Sequence, residues 1–255
     1  MSYLHLKISG AIAELRLDNP SKLNALTASM LEQLEAHCHK LERSPEVRVV
    51  LLTAEGDRAF CAGADIKEWS ELSSFEFARH WIRDGHRVFN RLARLVQPTI
   101  AVVSGHAFGG GLELAATCDL RVSSRKSTYA LLETSIGVVP GWSGTQRLAS
   151  HIPPAVLKEM ALLGNRLTAE RAYEFGFLNS ITDDPYAIAL EMANQIASKS
   201  PRANEVTKYM INAALGEDTE AMIEALGGGM MSGSEDNIEG VTAFKEKRSP
   251  DFSGN

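Results

Sequence analysis

Two aliphatic stretches limit the fold of this chain more than any other feature of its sequence. Residues 47–53 (VRVVLLT) and 99–103 (TIAVV) lack the polar alternation of a strand with one wet face. Strands of this near-continuous aliphatic kind are buried on both faces, as in parallel sheets covered by helices. Apolar residues at helical spacing over 26–41, and a mostly helical pattern from Ser143 onward, supply the covering helices. The sequence therefore predicts an α/β fold with a helical C-terminal third.

The composition excludes several classes of protein. The net charge is −6, and Lys and Arg are scattered rather than grouped, which argues against a nucleic-acid surface. Cys38, Cys61 and Cys118 match no metal or redox spacing, so we expect small buried fillers. The first residues lack the apolar core of a signal peptide, and no apolar run reaches membrane-spanning length. We expect a reduced, soluble, cytoplasmic protein without a membrane partner.

Glycine-containing loops follow both aliphatic stretches. The first covers residues 60–65 (FCAGAD) and the second residues 106–111 (HAFGGG), which lead into a helix start at LELAAT. Small residues allow close approach of a ligand to the backbone, and a helix start offers free N–H groups. One amide from each loop, aimed at one point, would make an oxyanion hole. Taken singly, the loops are better explained as tight strand-to-helix turns, because glycine is ordinary at turns.

Two glutamates adjoin these loops. Glu113 lies three residues after Gly110 on the same helix face, among apolar neighbours. Glu133 ends the apolar run YALL. Each has an ordinary alternative, as a first-turn glutamate favoured by the helix dipole and as a capping or solvent-facing carboxylate. If both face one site, the helix start favours ionised Glu113 and the leucine-rich run disfavours ionised Glu133. Such a pair supplies one base and one acid.

Long segments around these residues resemble the signatures of a known family. They are AFCAGADIKEW (59–69), SGHAFGGGLELAATCDLRV (104–122) and YALLETSIGVVPGWSGTQRL (129–148). The similarity extends from LDNPSKLNAL near the start to EGVTAFKEKRSPDF near the end. In order and spacing these motifs are similar to those of the crotonase (enoyl-CoA hydratase/isomerase) superfamily, and closest to the enoyl-CoA hydratases.

The resemblance implies a spiral of ββα units over residues 1–195. It also implies a helical region over 196–255 that forms trimers or hexamers and covers coenzyme A. By the motif match, the amides of Ala64 and Gly110 hold the thioester oxygen, and Glu113 and Glu133 are the catalytic glutamates. The resemblance assigns substrate contacts to six further residues: Ala62, Asp65, Ile66, Gly109, Trp142 and Lys247.

The implied reaction is syn addition of water to a 2-enoyl-CoA. Glu113 as carboxylate deprotonates the water that attacks C3, Glu133 delivers a proton to C2, and the oxyanion hole carries the enolate charge. The acyl-CoA is the substrate, and neither a metal nor a separate cofactor is expected. Three alternatives remain: a double-bond isomerase, a specialised hydroxyacyl-CoA dehydratase, and a non-catalytic binding relative such as an RNA-binding one. The two intact glutamates and the acidic charge count against the last.

Two further features concern the family pattern. The run Gly227-Gly228-Gly229 stands where related hydratases carry bulky residues, and each glycine weakens a helix by about 1 kcal/mol relative to alanine. Four aromatic residues occupy the stretch that lines the acyl end in relatives, and helical spacing would equally place at least half of them in the core. They are Trp69, Phe75, Phe77 and Trp81.

Overall fold

The computed structural model describes residues 3–217 and 219–254, excluding the side chains of 219–223 and 226. The described chain forms two compact units, which divide between Glu205 and Val206. The boundary expected from the sequence, between 195 and 196, stays a prediction.

In the described residues, two sheets and their helices make up the first unit, and α10 runs into the second. The strands are β1 Tyr3–Ser9, β2 Ile12–Asp18, β3 Val49–Ala54, β4 Ala59–Cys61, β5 Thr99–Val103, β6 His106–Phe108, β7 Leu120–Ser124, β8 Thr128–Ala130, β9 Leu167–Thr168 and β10 Ser180–Thr182. The helices are α1 Ala28–Leu41, α2 Ile66–Trp69, α3 Ser74–Glu76, α4 Arg83–Ala93, α5 Gly110–Ala116, α6 Gly144–His151, α7 Pro154–Leu163, α8 Ala169–Glu174, α9 Pro185–Ala197, α10 Pro201–Ala214, α11 Thr219–Ser232 and α12 Glu235–Glu246. Short 3-10 helices occupy Pro20–Lys22 and Glu133–Ile136, and a π-helical segment covers Phe77–Ile82.

The larger sheet has the order β1-β2-β3-β5-β7-β10. Only the β1–β2 pair of this sheet is antiparallel in the described residues, and the remaining pairs are parallel. The strands β3 and β5, which carry the two aliphatic stretches, are buried along their length except at Ala54. The predicted α/β class is therefore confirmed. Cys38, Cys61 and Cys118 are free and buried, as expected of small apolar residues that fill the core.

The smaller sheet has the order β4-β6-β8-β9 and positions the site. Its strands β4, β6 and β8 are parallel and directly follow β3, β5 and β7 along the chain. The chain thus passes repeatedly from the larger sheet to the smaller one and then into a helix or helical turn, the expected ββα spiral. Since parallel strands end at one edge of their sheet, the segments that follow these three strands meet there.

The glycine run does not interrupt its helix. Gly227, Gly228 and Gly229 all lie within α11, and a Cβ added at any of them would meet no atom within 4 Å. The three glycines are therefore helical despite the low helix propensity of glycine. Of the helices in the described part of the chain, none has the length and apolar character needed to cross a membrane.

Candidate active site

A cavity of about 260 Å³ opens at the edge of the smaller sheet where β4, β6 and β8 end. Its lining brings together eight of the residues singled out from the sequence: Ala62, Ala64, Ile66, Gly109, Gly110, Glu113, Glu133 and Trp142. Residues at the end of three different strands therefore converge on one space, although 20 or more positions separate the segments that supply them.

The two glycine loops place their amides side by side. Helix α5 begins at Gly110, whose N–H is one of the donors that a helix start leaves free. A Cβ added to Gly110 would lie 3.6 Å from the backbone nitrogen of Ala64. Neither amide donates to a backbone acceptor in the turns, loops and caps that the structure describes. The geometry fits two N–H donors directed at one ligand oxygen.

Gly109 joins this arrangement to Glu133. Its backbone has φ 50° and ψ −126°, a combination that glycine adopts far more readily than other residues. A side chain here would also collide with the carboxyl group, since an added Cβ would lie 2.9 Å from Glu133 Oε1. Its N–H donates to the carbonyl oxygen of Ala130 at 2.9 Å, which ties the loop to β8. The carboxyl group of Glu133 therefore lies directly against the loop that carries Gly109 and Gly110.

Glu113 is held by a turn from a distant part of the chain. It is 3% exposed, one turn into α5. The N–H groups of Trp142 and Gly144 donate to the same oxygen, Oε1, at 2.9 and 2.7 Å. Between them Ser143 has a left-handed backbone, with φ 76°. Alternate amides around a left-handed residue form a nest, a concavity that binds anions.

Burial nevertheless dominates the electrostatics of Glu113. It raises the pKa of this carboxyl group to about 7, against the opposing effect of the Trp142 and Gly144 N–H groups, and the charge of Glu133 raises it further whenever Glu133 is ionised. The sequence predicted that the start of α5 would favour the ionised form. That prediction is wrong in its net direction, because the apolar neighbours of Glu113 also remove it from water.

Glu133 has a different environment. It begins the 3-10 helix Glu133–Ile136 at the end of the β8 segment and is partly buried. Its Oε2 is buried and has no hydrogen-bond partner among the described residues. Burial raises the pKa of this carboxyl group, as the leucine-rich run predicted. An unpartnered buried oxygen favours the protonated form, and this effect of burial is larger than the opposing effect of the N–H groups of Glu133 and Leu132.

The cavity has a closed end and an open end. Trp142 and Trp81 are 2% and 7% exposed and pack at a ring-centroid distance of 5.1 Å. The indole N–H of Trp142 donates to the carbonyl oxygen of Trp81 at 3.2 Å. At the other end Ile66, Ile136 and Val139 are 49%, 54% and 72% exposed. The exposed aliphatic residues therefore mark the open side of the cavity, and the tryptophan pair marks its closed side.

Within the first unit, one predicted site residue, Asp65, is not among those that line the cavity. Asp65 caps α2 by accepting from the N–H of Lys67 at 3.2 Å, and it pairs with the ammonium group of Lys22, which lowers its pKa. Lys247 belongs to the second unit, where it ends α12 with φ 55°. Their contacts with substrate stay predictions. Of the four aromatic residues of the acyl stretch, Trp69, Phe77 and Trp81 line the cavity, whereas Phe75 is 64% exposed.

The sequence analysis missed the turn 141–144 as a partner of Glu113. The nest depends on contacts between residues about thirty positions apart, which no local pattern reveals. The glycine at position 144 is the sequence feature that could have indicated this contact. A Cβ on Gly144 would lie 2.5 Å from Glu113 Oε1, so a larger residue would not fit. His86 of α4 contacts Ser143 in this turn.

Comparison with known proteins agrees with this geometry. A family model described as enoyl-CoA hydratase/isomerase matches residues 7–255. The chain is 34% identical over 247 residues to the short-chain-enoyl-CoA hydratase of Clostridium acetobutylicum, covering 95% of this chain and 94% of that protein. It is also 34% identical over 259 residues to the carnitinyl-CoA dehydratase of Proteus mirabilis, covering 98% of each. The solved structure of an enoyl-CoA hydratase from Bacillus anthracis matches with a TM-score of 0.81 at 31% identity, covering 99% of each chain.

Proposed function

The chain belongs to the enoyl-CoA hydratase/isomerase family of enzymes, and we propose that it adds water reversibly to a short-chain 2-enoyl-CoA. The observation that carries the proposal is a pair of carboxyl groups in unlike surroundings, facing one cavity beside two converging amides. Each part of this set has a task in hydration, and the set needs no group from outside the chain.

Glu113 is the base that activates water. Two N–H groups donate to its Oε1, and this stabilises the carboxylate form, while Oε2 is the oxygen assigned to the water. A pKa of about 7 makes it a stronger base than an exposed carboxylate and still leaves it about half ionised at neutral pH. It takes a proton from the water as the oxygen attacks C3.

Glu133 is the acid that protonates C2. Its buried and unpartnered Oε2 favours the neutral carboxyl group, which holds the proton to be delivered. The amides of Ala64 and Gly110 receive the thioester oxygen as the enolate charge develops there. After one turnover the proton from water is on Glu113 and Glu133 is ionised, so exchange with solvent restores the starting state.

The dimensions of the cavity favour a short acyl group. Its volume of about 260 Å³ lies below the roughly 300–1,000 Å³ of pockets that hold drug-sized ligands. Trp81 and Trp142 close the inner end, so the acyl terminus points at them and the coenzyme A portion leaves past Ile66 and Val139. The name of the Clostridium acetobutylicum relative is consistent with this size.

A dehydratase for a specialised hydroxyacyl-CoA is the second candidate. The similarity to a carnitinyl-CoA dehydratase favours it, and the same residues would serve the reverse reaction. An isomerase needs only one carboxyl group to move a proton, so the nest that holds Glu113 would have no task in it. The proposal also includes a homotrimer or homohexamer in the cytoplasm, with Lys247 near the coenzyme A nucleotide. These points rest on the motif resemblance.

The direct test is an activity assay with chelator present. Purified protein is incubated with 2-enoyl-CoAs of increasing length from crotonyl-CoA upward, with branched and aromatic ones, and with 3-hydroxyacyl-CoAs. We expect loss of the conjugated thioester absorbance, fastest for the shortest substrates. If folded protein neither hydrates nor dehydrates any of them, the proposal is wrong. Conversion of a 3-enoyl-CoA without hydration would support the isomerase instead.

A further inference from the structure

A group of polar side chains lies behind the turn that holds Glu113. Ser143 is 6% exposed, and its Oγ lies 3.0 Å from Nδ1 of His86 and 3.3 Å from Oδ1 of Asn90. Asn90 Oδ1 also accepts from Nη2 of Arg147 at 2.8 Å. His86 and Asn90 are on α4, and Arg147 is on α6. Two side chains of α4 thus hold the hydroxyl group, and Arg147 of α6 holds one of them, Asn90.

The hydrogen-bond directions in this group follow from counting protons. A serine hydroxyl group has one proton to donate, and Asn90 Oδ1 can only accept. Ser143 therefore donates to Asn90 and accepts from a protonated ring nitrogen of His86, whose Nδ1 and Nε2 lie 3.0 and 3.4 Å from the hydroxyl oxygen. Burial, with the charges of Arg147 and Arg94, lowers the pKa of His86. The imidazole is therefore neutral at neutral pH.

This anchored hydroxyl group belongs to a residue with an unfavourable backbone. A φ of 76° is uncommon for any residue other than glycine, asparagine or aspartate. Yet this conformation is what directs the N–H groups on either side, from Trp142 and Gly144, at one oxygen of Glu113. Backbone strain persists only where surrounding contacts hold it in place.

We infer that Ser143 is a positioning residue, whose hydroxyl group, fixed by His86 and Asn90, holds the turn that directs two amides at the base Glu113. The inference rests on the proposed hydration. Without the anchor, a residue that still carries a Cβ relaxes toward negative φ and withdraws both amides. Glycine is not driven in that direction, because it adopts positive φ without cost.

The inference gives opposite expectations for two small substitutions. In Ser143→Ala the anchor is lost and the turn relaxes. Both N–H groups lower the pKa of Glu113, so their withdrawal raises it. In Ser143→Gly the anchor is also lost, but the turn keeps its shape. Glu133 is the titratable group that faces Glu113, and Arg94 and Arg147 are the charges that lower the pKa of His86. The groove that contains His86 is also lined by further charged residues, which are Glu35, Arg83, Arg87 and Arg91.

The experiment is the pH profile of kcat/KM for crotonyl-CoA hydration in wild type, Ser143→Ala and Ser143→Gly. The acid limb is the fall in kcat/KM as pH is lowered, and its midpoint in wild type is expected near pH 7. We expect the midpoint about one pH unit higher in Ser143→Ala and close to that of wild type in Ser143→Gly. His86→Ala removes one anchor bond and should shift the limb in the same direction by less. His80→Ala, at an exposed position of the preceding π-helical segment, is the matched control.

Each outcome has a defined meaning. Equal limbs in the alanine and glycine variants, shifted or not, overturn the inference, because the backbone preference would then play no part. A larger shift with glycine also overturns it. If Ser143→Ala does not fold, an upward shift in His86→Ala supports the inference, and an unshifted limb there overturns it. Absence of hydration in wild type is a different failure, that of the proposed function.

Discussion

Glu113 and Glu133 line one cavity, yet the chain surrounds them differently. Glu113 lies in a buried helix, and two backbone N–H groups from the turn 141–144 donate to one of its oxygens. Glu133 lies at the end of a short strand segment, with an added Cβ on Gly109 only 2.9 Å from its Oε1 and with Oε2 unpartnered among the described residues. The donors of Glu113 thus come from a distant turn, whereas those that lower the pKa of Glu133 are the N–H groups of Glu133 itself and of Leu132.

The comparison separates two influences on a buried carboxyl group. Burial raises the pKa of both, so removal from water does not decide which one carries the charge. The hydrogen-bond donors do distinguish them. The carboxylate of Glu113 is stabilised by N–H groups of a distant turn, which donate to Oε1 at 2.9 and 2.7 Å. The carboxyl group of Glu133 is stabilised by the neighbouring N–H groups of Glu133 and Leu132, and its Oε2 has no partner among the described residues. Since the two groups interact, the observed titrations belong to the pair. The assignment of base and acid therefore depends on the turn around Glu113.

A side chain added to the nest at position 144 should have the largest effect on kcat. In Gly144→Ala the new Cβ would lie 2.5 Å from Glu113 Oε1, so the carboxyl group or the turn must move. A displacement near 1 Å can cost roughly 10² in rate, and we expect a loss of that order in kcat. Gly228→Ala, where the added Cβ meets no atom within 4 Å, is the control. A folded Gly144→Ala enzyme with wild-type kcat would contradict the importance of the nest.

A smaller effect is expected in the pH dependence of the free energy of unfolding when Glu113 is replaced by glutamine. The pKa of Glu113 is raised from 4.5 to about 7, so the unfolded chain loses this proton before the folded one as pH rises. The resulting stability is present below about pH 4.5 and is lost as pH rises through 7. Glu113→Gln should therefore gain about 1–3 kcal/mol relative to wild type between about pH 5 and pH 8.5.

Denaturant unfolding at the two pH values measures this difference, and Glu133→Gln should change in the same direction because burial raises its pKa too. Parallel pH dependence in wild type and Glu113→Gln would show that Glu113 titrates normally in the folded protein.

The sequence predicted the parts of this site that depend on local pattern. The buried strands β3 and β5 were evident from aliphatic runs, and β5 has the bounds that were expected. The short strands β4 and β6 were missed, because three residues are too few to show a period. Their parallel arrangement is nevertheless what brings Ala64 beside Gly110.

The prediction of the pKa direction was correct for Glu133 and wrong for Glu113. Burial raises the pKa of both carboxyl groups, but only the burial of Glu133 could be predicted from the sequence. An apolar run adjoining Glu133 is visible in the sequence and predicts burial. The burial of Glu113 is set by packing around α5, and its two donors come from a turn about thirty residues away. The helix dipole was the only visible influence, and it was smaller than the desolvation.

The division of labour between the glutamates can be tested by separating C2 chemistry from water addition. A saturated thioester such as butyryl-CoA has a C2 proton but no double bond to hydrate. Ionised Glu133 removes that proton, the enolate oxygen is held by the amides of Ala64 and Gly110, and a deuteron is returned in heavy water. This exchange uses Glu133 and has no step for Glu113.

The decisive measurement follows C2 exchange of butyryl-CoA by NMR and hydration of crotonyl-CoA by absorbance, in wild type, Glu113→Gln and Glu133→Gln. In Glu113→Gln we expect hydration to fall by roughly 10² or more while exchange persists. In Glu133→Gln we expect both to fall by that amount. Exchange abolished in Glu113→Gln, or undiminished in Glu133→Gln, in folded protein, would contradict the assignment of Glu113 to water and Glu133 to C2.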